Sequence, residues 1–161
     1  MAIEVPLESY QGRVRPEWID FNGHMNVAYY LVAFDLATDI FLDYVGLDET
    51  NRETTGGTTF SAEIHIAYHR ELHENAPLRI STQLLSFDLK RIRYLHRMFH
   101  AEEGFQAATA ENLSLHVDLN ERRVVPLPDR IMGRLEEVWA AHRSLGVPQE
   151  AGSAIVKPPL T

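Results

Sequence analysis

The chain has no cysteine. That absence removes disulfides, a thiolate nucleophile and cysteine zinc sites, and it fits a reducing compartment. Positive charge is scarce too: Lys and Arg number 15 against 23 Asp and Glu, for a formal charge of -8. Nucleic acid and anionic membranes demand a dense basic face, so neither is expected as a partner. Long hydrophobic runs are missing as well, because Asp35, Asp39 and Asp43 interrupt the most apolar segment, which excludes a bilayer-spanning helix. The opening stretch MAIEVPLESYQGRV lacks the basic and apolar regions of a secretory signal. The expected location is therefore the cytoplasm. No G-x-S-x-G elbow is present, which leaves serine-hydrolase chemistry without support.

What is present suits a single globular domain over residues 1–161, since 161 residues at 45% hydrophobic content can bury a real core. That core is expected at about 11–128, a C-terminal helix at about 129–145 and a loose tail at about 147–161, ending in VKPPLT. YQGRVRPEW suggests a first strand interrupted at Pro16. From Asn26 onward, Val27, Tyr30, Leu31, Phe34, Phe41, Tyr44 and Val45 recur near a helical period, with Gly46 at the stop position. DETNRETTGGT reads as a loop. In FSAEIHIAYHR the alternation puts Phe60, Ala62, Ile64, Ile66 and Tyr68 on one face and Ser61, Glu63, His65 and His69 on the other. Three more strands follow, with short joints at Asp88 to Lys90 and Glu102 to Gly104 that favour antiparallel neighbours. Pro128 and Gly146 bracket the last helix. The predicted class is α+β: an antiparallel sheet of four to five strands wrapped around one long helix, with a C-terminal helix. Its open edges point to a homodimer, with pairing of dimers into tetramers left open.

The chemistry concentrates in DFNGHMNVAYY, at the entrance of the long helix. The first-turn N–H groups of a helix lack internal partners and carry partial positive charge. Asn22 or Asn26 could simply cap them and Gly23 could simply turn the chain. A cap does not account for Asp20, His24 and Asn26 gathered around one helix start. A carboxylate ahead of free N–H donors, with an imidazole nearby, supplies a base or nucleophile, an oxyanion site and a water-orienting group. Acyl transfer needs those parts.

DFNGHMNVAYYLVAF resembles the D-x-x-G-H-x-N entrance of hotdog-fold acyl-CoA thioesterases in the 4-hydroxybenzoyl-CoA thioesterase-like group, and AEIHIAYHREL resembles the strand that follows it there. The longer string EWIDFNGHMNVAYY, with FDLATD after it, is similar to the thioesterase domain fused to carnitine dehydrogenases and to stand-alone relatives that hydrolyse betainyl-CoA. The resemblance implies a hotdog fold and a thioesterase of small acyl-CoA that needs no cofactor, with Asp20 as general base or nucleophile. It implies that His24 orients water or lines the thioester and that Asn26 holds the turn or Asp20. The thioester oxygen would rest on N–H groups around His24 and Met25, beside Gly23, while Tyr30 and Trp18 would line the acyl pocket. Two rivals share the fold. Hotdog hydratases or dehydratases have a D-x-N-P-I-H entrance, of which DFNGH lacks the proline and shifts the histidine by one residue; non-catalytic acyl-CoA-binding hotdog proteins are the other.

Two clusters complete the reading. His65, His69 and His73 have a helical ligand spacing, but on a strand His65 and His69 stand about 13 Å apart. The same holds for His96 and His100, so no metal is expected. Lys90, Arg91, Arg93 and Arg97 form the densest basic stretch, either a solvated hairpin or, through Lys90, Arg91 and Arg93, a clamp for the phosphates of coenzyme A.

Overall fold

Asn26 starts the long helix as the spacing predicts. In the computed structural model, which describes residues 2–159, its side-chain oxygen accepts the Ala28 N–H and helix α1 runs over Val27–Tyr44. Strand β1 (Leu7–Arg13) precedes it and stops ahead of Pro16, which opens one 3-10 turn over Pro16–Trp18. The stretch expected to be a loop contains a second helix, α2 (Glu49–Thr55). Asp48 caps it through the Asn51 N–H, and Gly56, in the left-handed region at φ 73°, ends it. Those two capping residues were the legible signal; seven polar residues give no apolar period to go with them.

Strands β2 (Gly57–Tyr68), β3 (Pro77–Phe87), β4 (Arg91–His100), β5 (Gln106–Asp118) and the short β6 (Arg123–Val124) complete an antiparallel sheet. Its order is β1-β3-β4-β5-β2, with β6 against β5. The sixth strand is one more than expected. Helix α3 (Asp129–His142) follows and passes into a 3-10 turn over Arg143–Leu145. The expected helix thus ends in a tightened last turn. No helix among the described residues is long and apolar enough to cross a membrane.

The alternation expected for β2 fails at one point. Ser61 pairs with Ser114 and Glu63 with Leu113, so Ala62 is an extra, unpaired residue. A one-residue bulge exchanges faces. Ile64, Ile66 and Tyr68 oppose Asn112, Ala110 and Ala108 on the inner face, whereas Phe60 opposes Leu115 on the outer one. Phe60 is therefore not on the face of Ile64, as strict alternation would have it.

The inner face holds α1. The first half of the helix packs Tyr30, Ala33, Phe34 and Ala37 with Leu78, Ile80 and Met98. The second half packs Phe41 and Val45 with Leu84, Tyr94 and the buried stripe Ile131, Leu135 and Val138 of α3. Beneath the helix lies a buried polar chain. Ser9 Oγ donates to the Ile80 carbonyl, and Thr82 Oγ1 donates to Ser9. Thr82 has then spent its hydrogen, so His96 Nδ1–H donates to Thr82 at 2.7 Å and His96 Nε2 accepts from Thr38 Oγ1 at 2.9 Å. The chain of donors thereby sets a neutral imidazole.

Candidate active site

The site is built on the turn that leads into α1. Asp20 N–H donates to the His24 carbonyl and Gly23 N–H to the Asp20 carbonyl, which folds residues 20–24 into a tight reversal. Gly23 takes φ 80°, a conformation that L side chains resist. Within this reversal the Asp20 carboxylate is held at both oxygens. Oδ1 accepts the Asn22 N–H at 2.8 Å and Oδ2 accepts the Asn26 amide at 3.0 Å. Asn26 therefore works in two directions, capping the helix with its oxygen and clamping Asp20 with its nitrogen. The hydrogen bond from Asn22 N–H is the main cause of a lowered Asp20 pKa; partial burial opposes it, and the Asn26 amide and nearby His24 reinforce it. Asp20 is thus an oriented, ionised carboxylate at neutral pH.

A second wall comes from the segment after β2. The Leu72 carbonyl accepts the Met25 N–H at 2.8 Å, and Leu72 N–H donates to the Tyr30 hydroxyl at 3.2 Å. His73 Nδ1 lies 3.3 Å from the Gly23 carbonyl. Glu71 stands between two imidazoles, 3.8 Å from His24 Nε2 and 3.4 Å from His73 Nε2. The other nitrogen of His24 faces the Met25 carbonyl at 3.3 Å. Tyr68, at the end of β2, donates its hydroxyl to the Val27 carbonyl at 3.2 Å and meets the ring of Tyr30 edge-on.

These contacts decide which donors remain. Met25 N–H is spent on Leu72, Asn26 N–H on the Trp18 carbonyl and Ala28 N–H on the cap. Among the described residues, His24 N–H and Val27 N–H have no partner. Val27 is the first residue of α1, where the helix dipole favours negative charge.

The expected site residues therefore divide by placement. Asp20, Gly23, His24 and Asn26 share one turn. Trp18, Met25 and Tyr30 lie behind it, each less than 5% exposed and packed in the core around α1. The Trp18 ring stacks on Tyr29, and the Arg15 guanidinium sits over it. Lys90, Arg91 and Arg93 are not brought to the turn. They lie at the far end of β3, whose start adjoins the turn, and 11 strand residues span about 35 Å. Arg91 pairs with Asp88 and Arg93 with Glu111. Val27 N–H, Tyr68, Glu71 and Leu72 are the site groups the sequence reading missed. A backbone donor leaves no mark in a sequence, and segment 71–73 meets the turn only through the fold.

A sheet wrapped around one helix defines the hotdog fold, and the turn at the helix entrance sets an ionised carboxylate ahead of a free helix N–H. The chain belongs to the thioesterase-like superfamily, which it matches over residues 14–135. It is 38% identical to the betainyl-CoA thioesterase of Pseudomonas aeruginosa over 154 residues, covering 96% of this chain and 97% of the relative. It is 36% identical over 152 residues to the L-carnitine dehydrogenase/betainyl-CoA thioesterase of Agrobacterium fabrum, covering 94% of this chain but 31% of that longer protein. A Staphylococcus aureus protein solved in complex with CoA shares the fold at a TM-score of 0.87 and 23% identity, covering 98% of this chain and 100% of the other. The chain is an acyl-CoA thioesterase.

Proposed function

We propose that this thioesterase hydrolyses betainyl-CoA to betaine and free coenzyme A, acting as a cytoplasmic homodimer. The near full-length similarity to the Pseudomonas aeruginosa enzyme carries the choice of substrate. Val27 N–H binds the thioester oxygen and stabilises the negative charge that develops there. Asp20 either removes a proton from the attacking water or attacks the carbonyl carbon itself, forming an anhydride that water then opens. By either route the C–S bond breaks, the thiolate takes a proton, and one water is consumed. Asn22 N–H and the Asn26 amide aim the carboxylate.

Support for the dimer comes from the edge strand. Among the described residues β2 pairs with β5 on one side only, and Phe60 and Ile64 on it are exposed together with Leu31 and Ile40 of α1. Antiparallel pairing of two β2 edges would set the Gly57 end of one copy against the Tyr68 end of the other. That arrangement carries the basic turn of the partner toward this mouth. Lys90, which has no carboxylate partner among the described residues, is then the phosphate contact of the basic stretch, since Arg91 and Arg93 are already paired. Free-thiol release over aromatic, short, long and quaternary-ammonium acyl-CoAs tests the substrate reading. Betainyl-CoA should give the highest kcat/KM; a higher value for an aromatic or long-chain thioester would reject it.

A further inference from the structure

Betainyl-CoA makes a particular demand on the site. A single methylene separates its quaternary nitrogen from the carbonyl carbon, so the cation must sit beside the groups that act on the thioester. A trimethylammonium head offers no N–H to donate. It is held by aromatic faces and by nearby negative charge.

The aromatic residues around the mouth differ in what they have left to give. Trp18 is buried, with Tyr29 stacked on it and the Arg15 guanidinium 5.3 Å from its ring centroid, so its cation site is already filled. Tyr30 is buried and its hydroxyl serves Leu72. Phe21 is 97% exposed and projects away from any wall. Tyr68 differs from all of these, being 48% exposed yet fixed by its hydroxyl bond to the Val27 carbonyl and its edge contact with Tyr30. It therefore presents ring surface beside Val27, whose N–H is free.

Among the carboxylates, Asp20 is committed to the reaction. Glu71 also stands at the mouth, between the imidazoles of His24 and His73. It has no Lys or Arg partner among the described residues, since adjacent Arg70 pairs with Glu103. Its field reaches the Tyr30 hydroxyl, where it helps to raise that group's pKa after burial has done most of the work.

The geometry points to the Tyr68 ring and the Glu71 carboxylate as the seat of the quaternary ammonium, making these two residues the determinants of acyl specificity. This rests on the betainyl-CoA reading, and the test separates the two. kcat/KM is measured for betainyl-CoA and for its neutral isostere tert-butylacetyl-CoA in the wild type and in Tyr68→Leu, Tyr68→Phe and Glu71→Gln. The wild type should prefer the cation by roughly thirtyfold. Tyr68→Leu and Glu71→Gln should each lower the betainyl-CoA value by about tenfold more than the isostere value, and retained turnover of the isostere also shows that the variants fold. Tyr68→Phe, which keeps the ring, should keep the preference. A wild-type preference that persists undiminished in both variants overturns the seat while leaving the substrate intact. Equal loss on both substrates also overturns it, because the residues would then serve the thioester and not the cation. No preference in the wild type sinks the substrate reading and the seat with it.

Discussion

Asp20 is held through two oxygens by two different donors, and the two bonds can be separated. Asp20→Asn is nearly isosteric but can neither take a proton nor attack, so thiol release should fall by about 100-fold to 10,000-fold with an unchanged melting temperature. Retention of more than half the wild-type rate would remove Asp20 from the chemistry. Asn26→Asp is the sharper probe. The new carboxylate still caps α1 by accepting the Ala28 N–H, yet it loses the amide that donates to Asp20 and sets a like charge against it. Turnover should drop by about tenfold to a hundredfold, the worth of a hydrogen bond to a charged group, while stability stays close to wild type. The lowered pKa of Asp20, caused first by Asn22 N–H, has its own signature. The ionised form persists to lower pH, so the acid limb of kcat/KM falls below the ordinary aspartate range, as a pH profile would show.

At the scale of elements, α1 rests on the polar chain around His96. Complete burial pushes that imidazole down to about 3. The unfolded chain takes up the proton near the ordinary histidine value while the folded one does not, so stability is whole above that value and declines as pH falls toward 3. Between pH 7 and pH 5 this one residue should withdraw about 2 kcal/mol, measurable by urea unfolding at the two pH values. Burial lowers His142 as well, and its Nδ1 accepts the Leu84 N–H, so it contributes with the same sign. An unfolding free energy that does not fall from pH 7 to pH 5 would contradict a neutral His96 at the centre of the fold. The bulge at Ala62 belongs to this scale too. It returns Ile64, Ile66 and Tyr68 to the inner face after Phe60 has pointed outward, and so it places Tyr68 beside the start of α1.

For the whole molecule the expected state is a dimer. Light scattering should report twice the 18.4 kDa mass of the chain, and Ile64→Lys, which sets a charge on the exposed edge of β2, should halve that mass and lower turnover. A stable monomer with full activity would refute the arrangement.

The sequence by itself determined the long helix, the succession of strands along the chain and the turn that carries Asp20, His24 and Asn26. Each of these is local: an apolar period, a cap, or a glycine at a reversal is written in consecutive residues. It could not determine the face of Phe60, because one unpaired residue reverses a strand's alternation and only the register against β5 reveals it. Nor could it place α2, whose polar residues carry no period. Above all, it could not decide which N–H is free at the site. Met25 and Val27 look equivalent in a string of letters, and the difference between them is the Leu72 carbonyl, which is 47 residues from Met25 in sequence and 2.8 Å from its N–H in space. Backbone donors are identical in every residue, so tertiary contact alone distinguishes a spent one from a free one.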